Sequence, residues 1–290
     1  MITTDKEYFG LSKLKTTICI APNPKATDVR VGIVNLMQDK RSTEAPWFQV
    51  LSEVEQDLHI SFIRLPDYDE APEHRAYFHS FYNEATPERF DELDVIIVTG
   101  LPAGGFEHPF LDFANWDELA KVFDEAKSRG IPVLGSCWAG YALLFHRHDL
   151  MADKYEKKHL GLFRQNAFPS TSNPEFSAYL PQVMSVARRL NLPTGHVQDI
   201  PEVDVHWGND DTGVFLATDN ATRDLFIHSH VECGYGYARA EYENDVRNEL
   251  DFVGGDIPFK SKEAEQAASV WQASGRILMR DWFLWHERCS

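Results

Sequence analysis

The feature that most constrains this chain is a short apolar run that recurs along it and stops each time at a polar residue or a glycine. Residues 30–35 read RVGIVN, 93–100 read LDVIIVTG and 131–136 read IPVLGS. Runs of this length, apolar on both faces, are what strands buried on two sides require. HISFIRL at 59–65 reads as a further strand. Between these runs the apolar spacing turns helical. Residues 46–58 carry Phe48, Leu51, Val54 and Leu58, and 116–130 carry Leu119, Val122, Phe123 and Ala126, with Gly130 as the stop signal. Strands alternating with helices at this spacing predict an α/β fold: a doubly wound, mostly parallel sheet flanked by helices.

The rest of the chain is less regular. Residues 1–28 are polar and proline-containing and read as an N-terminal arm ahead of the core. Residues 66–90 are aromatic-rich and irregular, and residues from Cys137 to His148 look helical. A helix is expected over 175–190, a hairpin from 214–219 and 224–230, and helices over 235–250 and 263–287. With no repeat, low-complexity run or linker, the 290 residues are expected to form one domain.

Composition excludes several classes of function. Asp and Glu total 45 against 28 Lys and Arg, a net charge of −17, which argues against a nucleic-acid or anionic-membrane surface. No apolar stretch is long enough to span a bilayer, and the first residues lack the apolar core of a secretory leader. Cys19, Cys137, Cys233 and Cys289 form no CxxC pair and are too sparse for a disulfide scaffold. A cytoplasmic, reducing setting with free thiols is expected.

The sharpest chemical signal is Gly135-Ser136-Cys137-Trp138-Ala139-Gly140, lying between a strand and a helix. A thiol on such a turn projects past the sheet edge, and small flanking residues let the backbone bend. The first N–H groups of the following helix lack intrahelical partners and can bind a developing oxyanion. A thiol nucleophile needs a base. His230-Val231-Glu232 follows an apolar strand, and positions i and i+2 share a strand face, so Glu232 is placed to orient the His230 imidazole toward Cys137. His228 shares that face as a second candidate. His228 and His230 lack a third ligand at a recognisable spacing, so no metal site is expected.

A cysteine elbow followed some ninety residues later by His-x-Glu resembles the class I glutamine-amidotransferase-like superfamily, and within it the homoserine O-succinyltransferase family. Four stretches, in order over about residues 30–285, carry the closer resemblance. They are Val34-Asn35-Leu36-Met37 with Lys40, Thr43 and Glu44; Val98-Thr99-Gly100-Leu101-Pro102; Cys137-Trp138-Ala139; and Trp271, Gly275 and Trp282. Glutamine amidotransferases proper carry C-x-G-x-Q, which Ala139 and Tyr141 break.

The resemblance implies a class I glutamine-amidotransferase-like, flavodoxin-like sheet and ping-pong O-acyl transfer, with acyl-CoA as co-substrate, no bound cofactor and a homodimer. Cys137 would carry the acyl group, His230 would deprotonate the acceptor hydroxyl, and the Trp138 N–H would sit in the oxyanion hole. Lys40 would bind acyl carboxylate, CoA phosphate or acceptor. Gly104, at the position that looks like the family's donor selector, leaves room for a succinyl carboxylate, whereas a Glu there goes with acetyl transfer. Glu107, in a loop longer than the family's, would reverse that preference by folding into the pocket.

The acceptor residues depart from the pattern. The arginine of the family's S-R-Y triplet is absent in register, with Arg188 and Arg189 as replacements, and the second acceptor arginine falls by counting on Asn244, near Arg239 and Arg247. A buried carboxylate is best met by a bidentate arginine. The acceptor therefore stays open between homoserine (methionine biosynthesis), serine and another small hydroxyl compound. A hydrolase or amidotransferase on the same triad, and a non-catalytic binding protein on the same fold, are the other readings.

Overall fold

The apolar runs become the middle of a large sheet. The computed structural model describes all residues except 15–17, 67, 69–71, 104–105, 171, 174, 177–182, 255–261 and 290. For 72–73, 183–188, 235, 263–265, 267–268 and 288–289 it describes the backbone alone. In chain order the first half contains β1 (Ile2–Thr4), β2 (Cys19–Ile20), β3 (Val29–Val34), α1 (Lys40–Leu51), β4 (Leu58–Arg64), α2 (Pro72–Phe81), β5 (Asn83–Glu84) and α3 (Pro87–Phe90). There follow β6 (Val95–Val98), α4 (Trp116–Arg129), β7 (Val133–Ser136) and α5 (Trp138–His148). The second half contains β8 (Asp153–Arg164), β9 (Asn166–Ala167), β10 (Val183–Asn191), α6 (Thr194–Gln198), β11 (Val203–Asn209) and β12 (Gly213–Asp219). It ends with β13 (Leu225–Ile227), α7 (Tyr235–Arg247), β14 (Phe252–Gly254) and α8 (Lys262–Cys289).

The main sheet runs β2-β1-β4-β3-β6-β7-β13-β12-β11-β9, with β5 beside β4. It is parallel from β2 through β13, and antiparallel from β13 through β9. Residue parity divides the two cores. Val31, Ile33, Val95 and Ile97 face a layer with Trp47 and Phe48 of α1 and Trp271 and Trp282 of α8. Val34, Ile96 and Val98 face the other layer, with Leu119 and Phe123 of α4 and Leu143 of α5. Gly130 closes α4 in the left-handed conformation (φ 67°), as its place after the last apolar position predicts.

The chain passes from β3 to one side for β4 and to the other for β6, so the order reverses between β3 and β6. In open α/β sheets the crevice beyond the carboxyl ends of strands at such a reversal is where ligands bind. Thr99, just after β6, ties the two ends together: its Oγ1 accepts from the Leu36 N–H at 2.8 Å.

Several expectations are corrected. Residues 1–28 are not wholly an outlying arm, because β1 pairs with β4 inside the main sheet and Tyr8 is buried in the core. The helix read at 46–58 begins earlier, at Lys40 with an Asp39 cap, carries Pro46 inside it and ends at Leu51. Residues 66–90 include α2 and α3. Of the helix expected over 175–190, residues 175–176 are helical, 177–182 lie outside the described residues, and from Val183 the chain is instead strand β10, paired antiparallel with β8. With β14 these form a separate three-stranded sheet, β10-β8-β14. Ladder pairing with a distant strand overrode local spacing there. The hairpin is present as β12 and β13. Among the described residues no helix is long and apolar enough to cross a membrane.

Buried histidines make acid stability testable. Burial pushes His206 down to about 4 and His286 down to about 3. An unfolded histidine takes up its proton near pH 6.5, while folded His206 does so only near 4, so stability falls as pH drops through that window. For His206 the loss is up to about 3 kcal/mol. Melting curves from pH 7 to 4.5 are expected to show a shallower fall of Tm for His206→Gln than for the wild type. An unchanged slope would contradict this.

Candidate active site

Cys137 lies at the hinge between β7 and α5 with φ 54°, ψ −120°, a strained conformation for a residue with a side chain. Its N–H donates to the Ile227 carbonyl at 2.7 Å, which fastens the elbow to the end of β13. Glycines make the bend possible. A Cβ on Gly135 would lie 2.6 Å from the Ala139 carbonyl oxygen, and one on Gly140 would lie 2.9 Å from both the Gly135 carbonyl oxygen and His228 Cδ2. Trp138 opens α5, where N–H groups lack intrahelical acceptors, and its indole donates to the Pro109 carbonyl at 2.7 Å.

The His-x-Glu pair comes together by a route different from the one expected. β13 ends at Ile227, so His230 and Glu232 sit on the bends that follow it rather than on one strand face. His230 Nδ1 nevertheless donates to Glu232 Oε1 at 2.8 Å, both residues being buried. Ser136, beside Cys137, shares its hydroxyl proton between Glu232 Oε2 at 3.4 Å and the Ser229 carbonyl at 3.3 Å. The remaining imidazole nitrogen is left for Cys137: both side chains crowd Gly100, where an added Cβ would lie 3.2 Å from His230 Cε1 and 3.6 Å from Cys137 Sγ. Burial alone would push the imidazole down; the Cys137 sulfur, Tyr237 and Glu232 outweigh it and hold His230 well above the usual histidine value. His228 is not part of this cluster: it stacks on Tyr141 with centroids 3.7 Å apart, and its Nδ1 bonds the Val214 carbonyl at 2.9 Å.

Two glycines hold space around the cluster. A Cβ on Gly100 would lie 3.1 Å from Cys137 Cβ and 3.2 Å from His230 Cε1. A Cβ on Gly275 of α8 would lie 2.3 Å from the Val231 carbonyl oxygen, so α8 backs directly onto the loop that carries His230 and Glu232. Cys233 joins His230 and Glu232 in a group whose ligand atoms lie within 4.8 Å of one another. Burial pushes the Cys233 thiol up to about 12.

Cys137 and His230 open into a cavity of about 320 Å³. Its apolar wall includes Met37, Leu101, Pro102, Phe106 and Leu190. Its polar wall comes from α7, where Tyr237, Glu241, Asn244 and Asp245 share one face, and from Lys154 and Lys158 of β8. Lys158 is paired with Glu241 at 2.5 Å and with buried Asp245 at 2.9 Å. Arg189 also lines the cavity. Between the pairs Arg188–His159 and Leu190–Lys154, β8 sets four residues (155–158) against Arg189 alone. That irregularity turns both Arg189 and its neighbour Leu190 toward the cavity, where a regular strand would alternate them.

The other candidates fall elsewhere. Lys40 is buried, with Nζ on the Met37 carbonyl and above the rings of Tyr68 (4.3 Å) and Phe78 (5.1 Å). It touches the cavity wall through Met37 rather than lining it. Arg239 is exposed and pairs with Glu243 at 2.7 Å, and Arg247 is exposed in the last turn of α7. Neither is among the described residues that line the cavity. Gly104 lies outside the described residues, as does the Arg188 side chain. Glu107 is exposed on a turn whose N–H groups bond Asp112, and does not fold into the cavity. Sequence reasoning missed Lys154, Lys158, Tyr237, Glu241 and Asp245 as site residues. The i, i+4 spacing of the two lysines was a signal, but it looks the same as a solvated strand face.

The fold is that of the glutamine amidotransferases. Solved glutamine amidotransferases from Thermotoga maritima and Methylobacillus flagellatus each superpose with a TM-score of 0.56 at 11% and 10% identity. They cover 89% and 90% of this chain, and 99% and 95% of those chains. The family is narrower than the fold. The homoserine O-succinyltransferase family model matches residues 16–288, and the chain belongs to that family of acyltransferases. Similar relatives include a homoserine O-acetyltransferase from Ruegeria pomeroyi, 27% identical over 88% of this chain and 81% of the relative. A homoserine O-succinyltransferase from Shewanella piezotolerans is 25% identical over 90% and 83%.

The Gly100 geometry sets a prediction. Gly100→Ala is expected to lower kcat roughly tenfold or more, because its methyl group presses on both Cys137 and His230, while Tm stays near the wild-type value. Steady-state kinetics beside a melting curve tests this; wild-type kcat would contradict it.

Proposed function

We propose that the chain moves an acyl group from acyl-CoA to the hydroxyl of a small amino acid, homoserine first, through a thioester on Cys137. The observation that carries this reading is the placement of Cys137 beside His230, itself hydrogen-bonded to Glu232, in one cavity. Cys137 Sγ attacks the donor thioester carbonyl; the C–S bond to CoA breaks, and the CoA thiolate takes a proton from His230. The acceptor oxygen then attacks the acyl-enzyme as His230 takes its proton, the bond to Cys137 breaks, and an ester leaves. Exchange of one thioester for another is nearly thermoneutral, so water need be excluded only from the second step, and the apolar wall of the cavity suits that task.

The Trp138 N–H, at the first helical turn beside the thiol, serves the oxyanion. Arg189 is the arginine placed to meet a substrate carboxylate, in place of the arginine of the family's S-R-Y triplet. Lys40 contributes by holding Met37 in the wall. The relatives are named for acetyl and for succinyl transfer, and both donors remain in the proposal. We further propose a homodimer in the cytoplasm, serving methionine biosynthesis.

Intact mass tests the reading. Incubation with succinyl-CoA or acetyl-CoA, without acceptor, should add one acyl group to the wild type and none to Cys137→Ala, and homoserine or serine should then discharge it. Glu232→Gln should slow turnover at least about a hundredfold. Absence of an adduct from either donor would favour a hydrolase or a non-catalytic protein.

A further inference from the structure

Tyr237 lies on the α7 face that lines the cavity, one turn before Glu241. Its ring centroid is 5.0 Å from the His230 imidazole, with the planes tilted by 46°. The ring packs against the core that carries Trp271 and Trp282, which fixes the direction of the phenol. No hydrogen bond to the Tyr237 hydroxyl is found among the described residues, and the residue lines the same cavity as Cys137 and His230. A phenol held beside a catalytic base, without a protein partner, is arranged to bind something that enters the cavity.

Which substrate it meets follows from the wall it stands on. Glu241 and Asp245 stand on the α7 side, paired with Lys158, and Arg189 lies on the same polar wall, which together suit an acceptor carrying both an ammonium and a carboxylate. His230 is the group that takes the proton of the incoming hydroxyl. A hydroxyl oxygen giving its proton to the imidazole still has lone pairs, and one of these can accept from the phenol. Burial pushes the Tyr237 phenol well up, so it stays protonated and remains a donor through neutral pH.

Resting on the reading of Cys137 as acyl carrier, we infer that Tyr237 is a catalytic residue of the second half-reaction, donating a hydrogen bond to the acceptor's hydroxyl oxygen and aligning it between His230 and the acyl-enzyme. The phenol keeps its proton throughout; the proton that moves is the acceptor's, to His230. An ammonium has no lone pair to accept from the phenol, so the arrangement also favours hydroxyl over amine acceptors.

The test separates the two half-reactions. Wild-type protein and Tyr237→Phe are each mixed with acyl-CoA in a rapid-quench experiment read by intact mass, and the isolated acyl-enzymes are then mixed with homoserine or serine. The phenylalanine variant keeps the ring and its packing, and a melting curve confirms that it folds. Acylation is expected to proceed within about twofold of wild type, while discharge by the acceptor slows roughly tenfold, the equivalent of one hydrogen bond. Discharge at the wild-type rate would overturn the inference and leave the proposed function standing. Equal slowing of both steps would place the phenol on the oxyanion common to them and would also overturn it. Failure of the wild type itself to form an adduct would overturn the proposed function and this inference together.

Discussion

The site depends on one hydrogen bond, from His230 Nδ1 to Glu232 Oε1 at 2.8 Å. A carboxylate only accepts, so the nitrogen facing it must carry a proton, and the other nitrogen is left for Cys137. That bond is held from three sides. Ser136 donates to the second Glu232 oxygen, Val231 between the two residues is buried, and Gly275 lets α8 press against the Val231 backbone. The sulfur approaches from the opposite side on a turn with φ 54°, strained but tied to the end of β13 by the Cys137 N–H. Neither half of the pair is placed by the loop it sits on alone. Each is anchored to a buried strand or to the long carboxyl-terminal helix.

Strand order turns this local arrangement into a pocket. The loops after β3 and β6 diverge at the reversal of strand order, and the elbow after β7 fills the side of the gap they leave. The small sheet adds the remaining wall. β8 and β10 carry Lys158 and Arg189 over the carboxyl edge of the main sheet, and α7 completes the ring with Tyr237 and its acidic neighbours. The apolar and the polar side of the cavity thus come from different parts of the chain.

The parallel half of the sheet was legible because buried strands write their own pattern. Val31, Ile33, Val95 and Ile97 face one core while Val34, Ile96 and Val98 face the other, whatever the rest of the chain does. The Cys137 elbow was legible because only small residues fit at 135 and 140, where added methyl groups would strike backbone. His230 and Glu232 were identified, but on a wrong geometric premise, since a bent loop brings them together. Residues 183–190 were misread as part of a helix over 175–190 because their pairing partner, β8, lies some twenty residues upstream and local spacing does not report it. The same long-range pairing places Arg189 in the cavity, while Arg239 and Arg247, equally plausible by count, face outward. Tyr237 carried no signal at all, because an aromatic on an amphipathic helix looks like core until the cavity beside it is seen.

The account rests most directly on the coupling of the Cys137 sulfur to the His230 imidazole. An NMR titration of isotope-labelled histidines, in the wild type and in Cys137→Ala, measures that coupling. The account predicts that His230 titrates clearly above the ordinary histidine value in the wild type and moves down once the sulfur is removed. A His230 that titrates at or below the ordinary value, and does so equally in both proteins, would contradict it.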